Sequence, residues 1–241
     1  MQIFQLKLDF LKSKSFISWK LYYSILGAIL NMFENDQEIY ESILKISFFF
    51  DKEYFYVIVS IAWKESFSKA VSYLLDKNHN FIVIDKHRFL YEKIDLNLKV
   101  LDFEKLRLNK VKKFTLKFLS PTQLRNQNKM FILPEPGRFL FSVYEKVKKL
   151  WLNFNIDEKD FKKWLWYSVL ASRFDLKSEL VEIKWSKRAG VIWNISYVVY
   201  DENETYQKIL SLILQSIPYT WIGSWTRLGL WNVKVLDCKQ K

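Results

Sequence analysis

The chain has 241 residues, 50% of them hydrophobic and 18% aromatic, which excludes intrinsic disorder and allows one large domain or two small ones. Its 38 Lys and Arg stand against 26 Asp and Glu, a formal net charge of +12 that suggests a polyanionic partner, either nucleic acid or an anionic membrane. A single cysteine, Cys238, excludes disulfides within the chain and any Cys-based zinc site, and it fits a reducing, cytoplasmic compartment.

Gln2 to Phe10 alternates polar and apolar residues from Gln5 onward and is predicted to be a half-buried strand. It lacks a basic region followed by an apolar run, so no signal peptide is expected. Trp19, Tyr22, Ile25/Leu26, Ile29 and Phe33 recur at helical spacing and predict a helix over 17–33, whose opposite face carries Lys20, Ser24, Gly27 and Asn31. Lys20 interrupts the most apolar segment, and no run approaches the ~18 apolar residues a membrane span needs.

Strands are predicted over 45–50 and 54–63, a helix over 66–75, and strands over 81–84 and 96–101. The order strand, helix, strand, strand, helix, strand is the ferredoxin-like arrangement. A second round follows: a strand over 112–119, helices over 140–151 and 161–172, strands over 180–185 and 191–200 joined through Lys187-Arg188-Ala189-Gly190, a helix over 205–216 and a closing strand over 231–236. The fold class is therefore α+β, two tandem ferredoxin-like (RRM-like) domains, 1–105 and 111–241. The halves show no sequence repeat.

The charge is uneven. Residues 1–110 hold 16 basic and 14 acidic side chains, a net of +2, while residues 111–241 hold 22 and 12, a net of +10. A Lys-rich proteome would load both halves, so the asymmetry points to a binding surface in the second. The basic residues there cluster: Lys112, Lys113 and Lys117; Arg125 and Lys129; Lys146, Lys148 and Lys149; and Lys184, Lys187 and Arg188 around Trp185 in the predicted hairpin. A basic hairpin with an aromatic suits an RNA groove or loop; a solvated hairpin tip is the competing reading.

Two of the five glycines lie in Ile222-Gly223-Ser224-Trp225-Thr226-Arg227-Leu228-Gly229-Leu230-Trp231. Gly223 and Gly229 let another backbone approach, and Ser224, Thr226 and Arg227 offer hydroxyls and a guanidinium to a phosphate. This block resembles the C-terminal glycine-rich loop of the RAMP RNA-binding proteins. Phe118-Leu119-Ser120-Pro121-Thr122-Gln123-Leu124 is similar to the strand and Ser/Thr-Pro-Thr turn of their CRISPR repeat-RNA processing endoribonucleases. Gly190-Val191-Ile192-Trp193-Asn194-Ile195-Ser196-Tyr197 resembles the strand before the last helix of those enzymes. The three blocks match in order and spacing over 111–236.

The resemblance implies that the chain binds repeat RNA and cuts precursor crRNA within each repeat. The family reaction needs no metal or other cofactor: the ribose 2′-OH attacks the adjacent phosphate and leaves a 2′,3′-cyclic phosphate. It also implies a histidine at or just after the first helix. This sequence departs there, since its only histidines are His79 and His87 and the stretch 39–45 has none. Lys20 and Tyr23, three apart on one helix face, and Lys45 are the replacements that family members lacking the histidine suggest. A solvated Lys20 and a core or rim Tyr23 are the competing reading. A non-catalytic RAMP protein holding repeat RNA, or serving as a CRISPR effector-complex subunit, is the alternative function. An unrelated α+β protein with a membrane-binding basic face is the third. No membrane partner is expected, and monomer and homodimer stay open.

Overall fold

The computed structural model describes residues 2–11, 27–33, 35–50, 54–76, 81–84, 87–95, 100–122, 124–126, 129–131, 135–151, 154–183, 186–220 and 233–240. These form two compact units, the first built mainly on Met1–Glu104 and the second on most of the chain from Lys105 onward.

In the first unit, β1 (Gln2–Leu11) lies beside β3 (Tyr54–Ala62), which pairs on its other side with β2 (Ile43–Phe50). Leu6, Leu8 and Phe10 of β1 and Val57, Val59 and Ile61 of β3 are buried at alternate positions, as a sheet with one core face requires. Helix α1, described over 27–32, adds Ile29 to the buried set. Helix α2 (Gln37–Ser42), which periodicity did not predict, is capped by the Asp36 carboxylate accepting from the Ile39 N–H at 3.1 Å. Helix α3 (Lys64–Leu75) buries Ala70 and Leu74 and stacks Phe67 on Phe4 of β1.

The fourth ferredoxin strand is not where the alternation put it. The strand beside β1 is β5 (His87–Asp95), with β4 (Phe81–Ile84) hairpinned outside it. Of the predicted strand over 96–101, Leu101 belongs to the two-residue β6 (Leu101–Asp102) against the start of β1, and 96–99 lie outside the described residues. A bulge between Asp9 and Phe10 shifts the β1–β5 register, which breaks the period that sequence patterning relies on. The order β2-β3-β1-β5 is the ferredoxin order, extended by β4.

The second unit gives the same order cleanly: β10 (Val169–Ile183), β11 (Ser186–Val199), β7 (Val111–Thr122), β12 (Val233–Gln240). Helices α4 (Pro136–Trp151), α5 (Glu158–Ser168) and α6 (Glu204–Ser216) supply the buried Phe139, Leu140, Tyr144, Phe161, Leu165, Leu210 and Ile213. Phe114 stacks on Tyr197 at 5.0 Å, and Tyr144 meets Phe161 at 5.1 Å. Gly137 is required by close approach, because a methyl at its Cα would overlap the indole of Trp166.

Three expectations are corrected here. The helix predicted over 161–172 ends at Ser168, and the following strand begins at Val169 rather than 180. Leu170 and Phe174 are four apart, a spacing that fits a helix and also one side of a strand. The Tyr200 N–H donates to the Ser168 carbonyl at 2.9 Å and fixes the strand reading. Residues 187–190 are strand, part of β11 from its start at Ser186, rather than the connection between two strands. Ser120-Pro121-Thr122 is the end of β7 rather than a turn, and Thr122 pairs with Val191 across a bulge. A short hairpin of β8 (Leu124–Asn126) and β9 (Lys129–Phe131) follows.

Candidate nucleic-acid interface

The core face of the second sheet carries Phe114, Leu116, Phe118, Ile195 and Tyr197. The intervening residues necessarily point to the other face. Register aligns them into rows. Lys234 of β12, Lys117 of β7 and Asn194 of β11 lie side by side. Asp237, Thr115 and Ser196 form the next row, and Lys113 pairs with Val198 in the one beyond. Lys113, Lys117 and Lys234 are exposed.

A groove of about 440 Å³ opens on this face, lined by Lys113, Thr115, Arg173, Asp175, Asn194, Ser196 and Asp237. The hydroxyls of Thr115 and Ser196 are 2.9 Å apart and hydrogen-bonded, and the Ser172 hydroxyl donates to the Ser196 carbonyl at 3.3 Å. Asn194 Oδ1 is buried in the groove wall without a donor among the described residues. A buried acceptor left in that state favours a ligand that brings an N–H or O–H. Cations for phosphate, hydroxyls for ribose and an amide acceptor for a base edge therefore meet on one surface.

The sequence-predicted site residues divide as follows. Lys117 sits on this face, exposed. Arg125 and Lys129 lie on the paired strands β8 and β9. Lys187 and Arg188 open β11. Lys20, Tyr23, Lys184, Gly223, Ser224, Thr226, Arg227 and Gly229 lie outside the described residues. Lys45 is only 3% exposed, on β2 in register with Ser60 of β3. Of the α4 cluster, Lys148 is held by Glu158, while burial pulls Lys146 down to about 8.

Sequence reasoning missed Arg173, Thr115 and Lys234 as site residues. The signal for Thr115 was present: Lys113, Thr115 and Lys117 are polar at every second position between apolar residues. Lys234 joins only through pairing with Lys117, far earlier in the chain, and Arg173 only through the place of β10 beside β11, which no local pattern reveals.

Two ferredoxin-like units in tandem define the class of protein. No protein-family model matches the sequence, and no curated protein matches it. Solved structures do. One described as a Cas6 product complex is similar over 98% of this chain and 100% of its own, with a TM-score of 0.82 at 15% identity. Thermus thermophilus Cas6 is similar over 98% of each chain, with a TM-score of 0.73 at 13% identity. A RAMP protein binding different RNA substrates is similar over 98% of this chain and 100% of its own, with a TM-score of 0.58 at 14% identity. At these identities the likeness is one of fold, and it is the fold that the three sequence blocks implied.

Proposed function

We propose that this chain binds CRISPR repeat RNA and cuts the precursor crRNA within each repeat. The observation that carries the reading is the basic open face of the second sheet, with Lys113, Lys117, Lys234 and Arg173 around the Asn194 acceptor. It lies on a fold similar to that of Cas6 structures described as product and substrate-mimic complexes. Lysines and the arginine engage phosphates, Asn194 accepts from a base amino or ribose hydroxyl group, and the glycine-rich stretch 222–231 adds backbone N–H donors.

The chemistry needs no cofactor. The 2′-oxygen loses its proton and bonds to the adjacent phosphorus. The bond from phosphorus to the 5′-oxygen breaks, and that oxygen takes up a proton, leaving a 2′,3′-cyclic phosphate and a 5′-hydroxyl. Lys20 and Tyr23 are the residues we assign to this step, and Lys45, buried on β2, contributes charge from within the sheet rather than contact with the phosphate. A lysine with an ordinary pKa near 10.4 is a poor base at neutral pH, so its role is to stabilise charge on the phosphorane. Cleavage is accordingly slow and rises with pH.

The histidine-free stretch 39–45 favours a second reading, a RAMP protein that holds repeat RNA without cutting it, alone or as an effector-complex subunit. Labelled repeat RNA incubated with the protein in EDTA separates the two. Binding with cleavage is the expected result. Binding without cleavage selects the second reading, and failure to bind repeat RNA in preference to unrelated RNA overturns both.

A further inference from the structure

The groove of the second sheet differs from the face around it. Lys113 and Arg173 share its lining with Asp175 and Asp237, so the four charges cancel. Among the described residues no ion pair joins any two of them. Lys117 and Lys234 stand instead in the row that runs through Asn194. A phosphate is drawn to that row and repelled by the two carboxylates of the groove. At about 440 Å³ the groove has room for a small planar ligand. Its mixed walls suit one that is neutral and carries donors as well as acceptors along its edge.

A nucleobase is such a ligand, and none of the described lining residues has a ring on which one could stack. Stacking tolerates any sequence, whereas hydrogen bonds to a base edge do not. The acceptors lie together. β10 neighbours β11 in the sheet, which puts the Asp175 carboxylate beside the strand that carries Asn194 Oδ1, the buried oxygen without a donor among the described residues. Arg173 is two residues from Asp175 and so on the same side of β10. The groove therefore offers two acceptors next to a donor. On the Watson–Crick edge only guanine has the complement: two adjacent donors, N1–H and the N2 amino group, beside the O6 acceptor. Adenine and cytosine each set a ring-nitrogen acceptor beside their one amino group, and uracil flanks its N3–H with two carbonyls. Each of these turns lone pairs toward a carboxylate.

We propose that this groove selects guanine, with Asp175 and Asn194 accepting from N1–H and the N2 amino group and Arg173 donating to O6. The guanidinium has five N–H donors, so one branch serves the base while another keeps a phosphate. Lys113 and Asp237 close the opposite side, on β7 and β12. The proposal rests on the reading of this face as an RNA interface and adds what the face reads. The guanosine is an unpaired one, since its Watson–Crick edge is engaged by the protein.

Fluorescence anisotropy on the full chain tests it, with short uridine tracts carrying one central guanosine, inosine, adenosine or cytidine. The guanosine tract should bind about tenfold or more tighter than the adenosine, cytidine and all-uridine tracts. The inosine tract, which lacks the N2 amino group, should fall between. Asp175→Asn should erase the guanosine preference and raise affinity for the uridine tract, because it removes a negative charge near phosphates. A carboxylate that acted by charge alone would, on removal, strengthen binding of every tract alike. Asn194→Ala should bring the guanosine tract down to the level of inosine. Equal affinity for all tracts, inosine as tight as guanosine, or a guanosine preference that survives both substitutions overturns the inference and leaves the RNA interface standing. Failure to bind any tract overturns the interface itself, and the inference with it.

Discussion

Removing Lys113, Lys117 and Lys234 together by alanine substitution should change how salt governs RNA affinity. Each lysine that neutralises a phosphate on single-stranded RNA contributes about 0.7 to the slope of log affinity against log salt. The three stand at neighbouring positions on the open face, two on β7 and one paired with it on β12. If all three meet phosphates, the slope should flatten by about 2. Between ~50 and ~200 mM salt the unaltered chain should then lose roughly 20-fold more affinity than the triple variant. Filter binding or fluorescence anisotropy with labelled repeat RNA over that range measures both slopes. Lys159→Ala with Lys163→Ala is the control, since both are exposed on α5, which belongs to the helical layer. An unchanged slope in the triple variant, or an equal flattening in the control, would refute the assignment of this face.

Lys20→Ala or Tyr23→Phe should lower the cleavage rate by about 10²-fold, while His79→Ala and His87→Ala leave it intact; single-turnover assays that give the opposite pattern would move the site to the first unit's later strands. Gly137→Ala should cost about 1–3 kcal/mol, because the added methyl meets the Trp166 ring in a packed layer, and an unchanged urea midpoint would contradict that packing. Burial holds Lys146 near 8 in the folded chain against its ordinary 10.5. The unfolded chain therefore binds the proton more tightly, and this group's contribution to stability should rise with pH from about 8 upward. Lys146→Met should abolish that rise and gain up to about 3 kcal/mol at neutral pH, offset by whatever the amine contacts. Melts compared below pH ~10 isolate the effect, since Tyr144 and Tyr197, both raised, act in the opposite direction once unfolded tyrosines ionise.

Strand alternation made both sheets legible where one face is buried. Leu6, Leu8 and Phe10 in β1, and Phe114, Leu116 and Phe118 in β7, are visible as a core face from sequence alone, and the residues between them as its reverse. Periods that coincide hid the α5–β10 boundary, since Leu170 and Phe174 satisfy both. Bulges hid β5 and the path of β7 through Pro121. The interface was legible as far as its charge, and only in the second half. Its convergence was not, because Arg173, Asn194 and Lys234 come from three strands whose register is a tertiary fact. Asn194 stood inside a strand motif, and nothing local distinguishes an amide that finds a partner from one that does not.

The place of β12 has a consequence for how the molecule is made. It lies against β7, the inner strand that the second sheet is built around, and Val233 pairs with Phe118, 115 residues earlier in the chain. A ribosome adding about 5–20 residues per second takes roughly 6–23 s to cover that distance. Throughout that interval the nascent chain carries β7 with one flank of amides and carbonyls unfilled. Pairings of such span are slow to form and open to intermolecular capture while they wait. The second unit is thus completed late during synthesis, and its most vulnerable state is a chain already long enough to hold α4, α5 and α6 but still missing the strand that seals them.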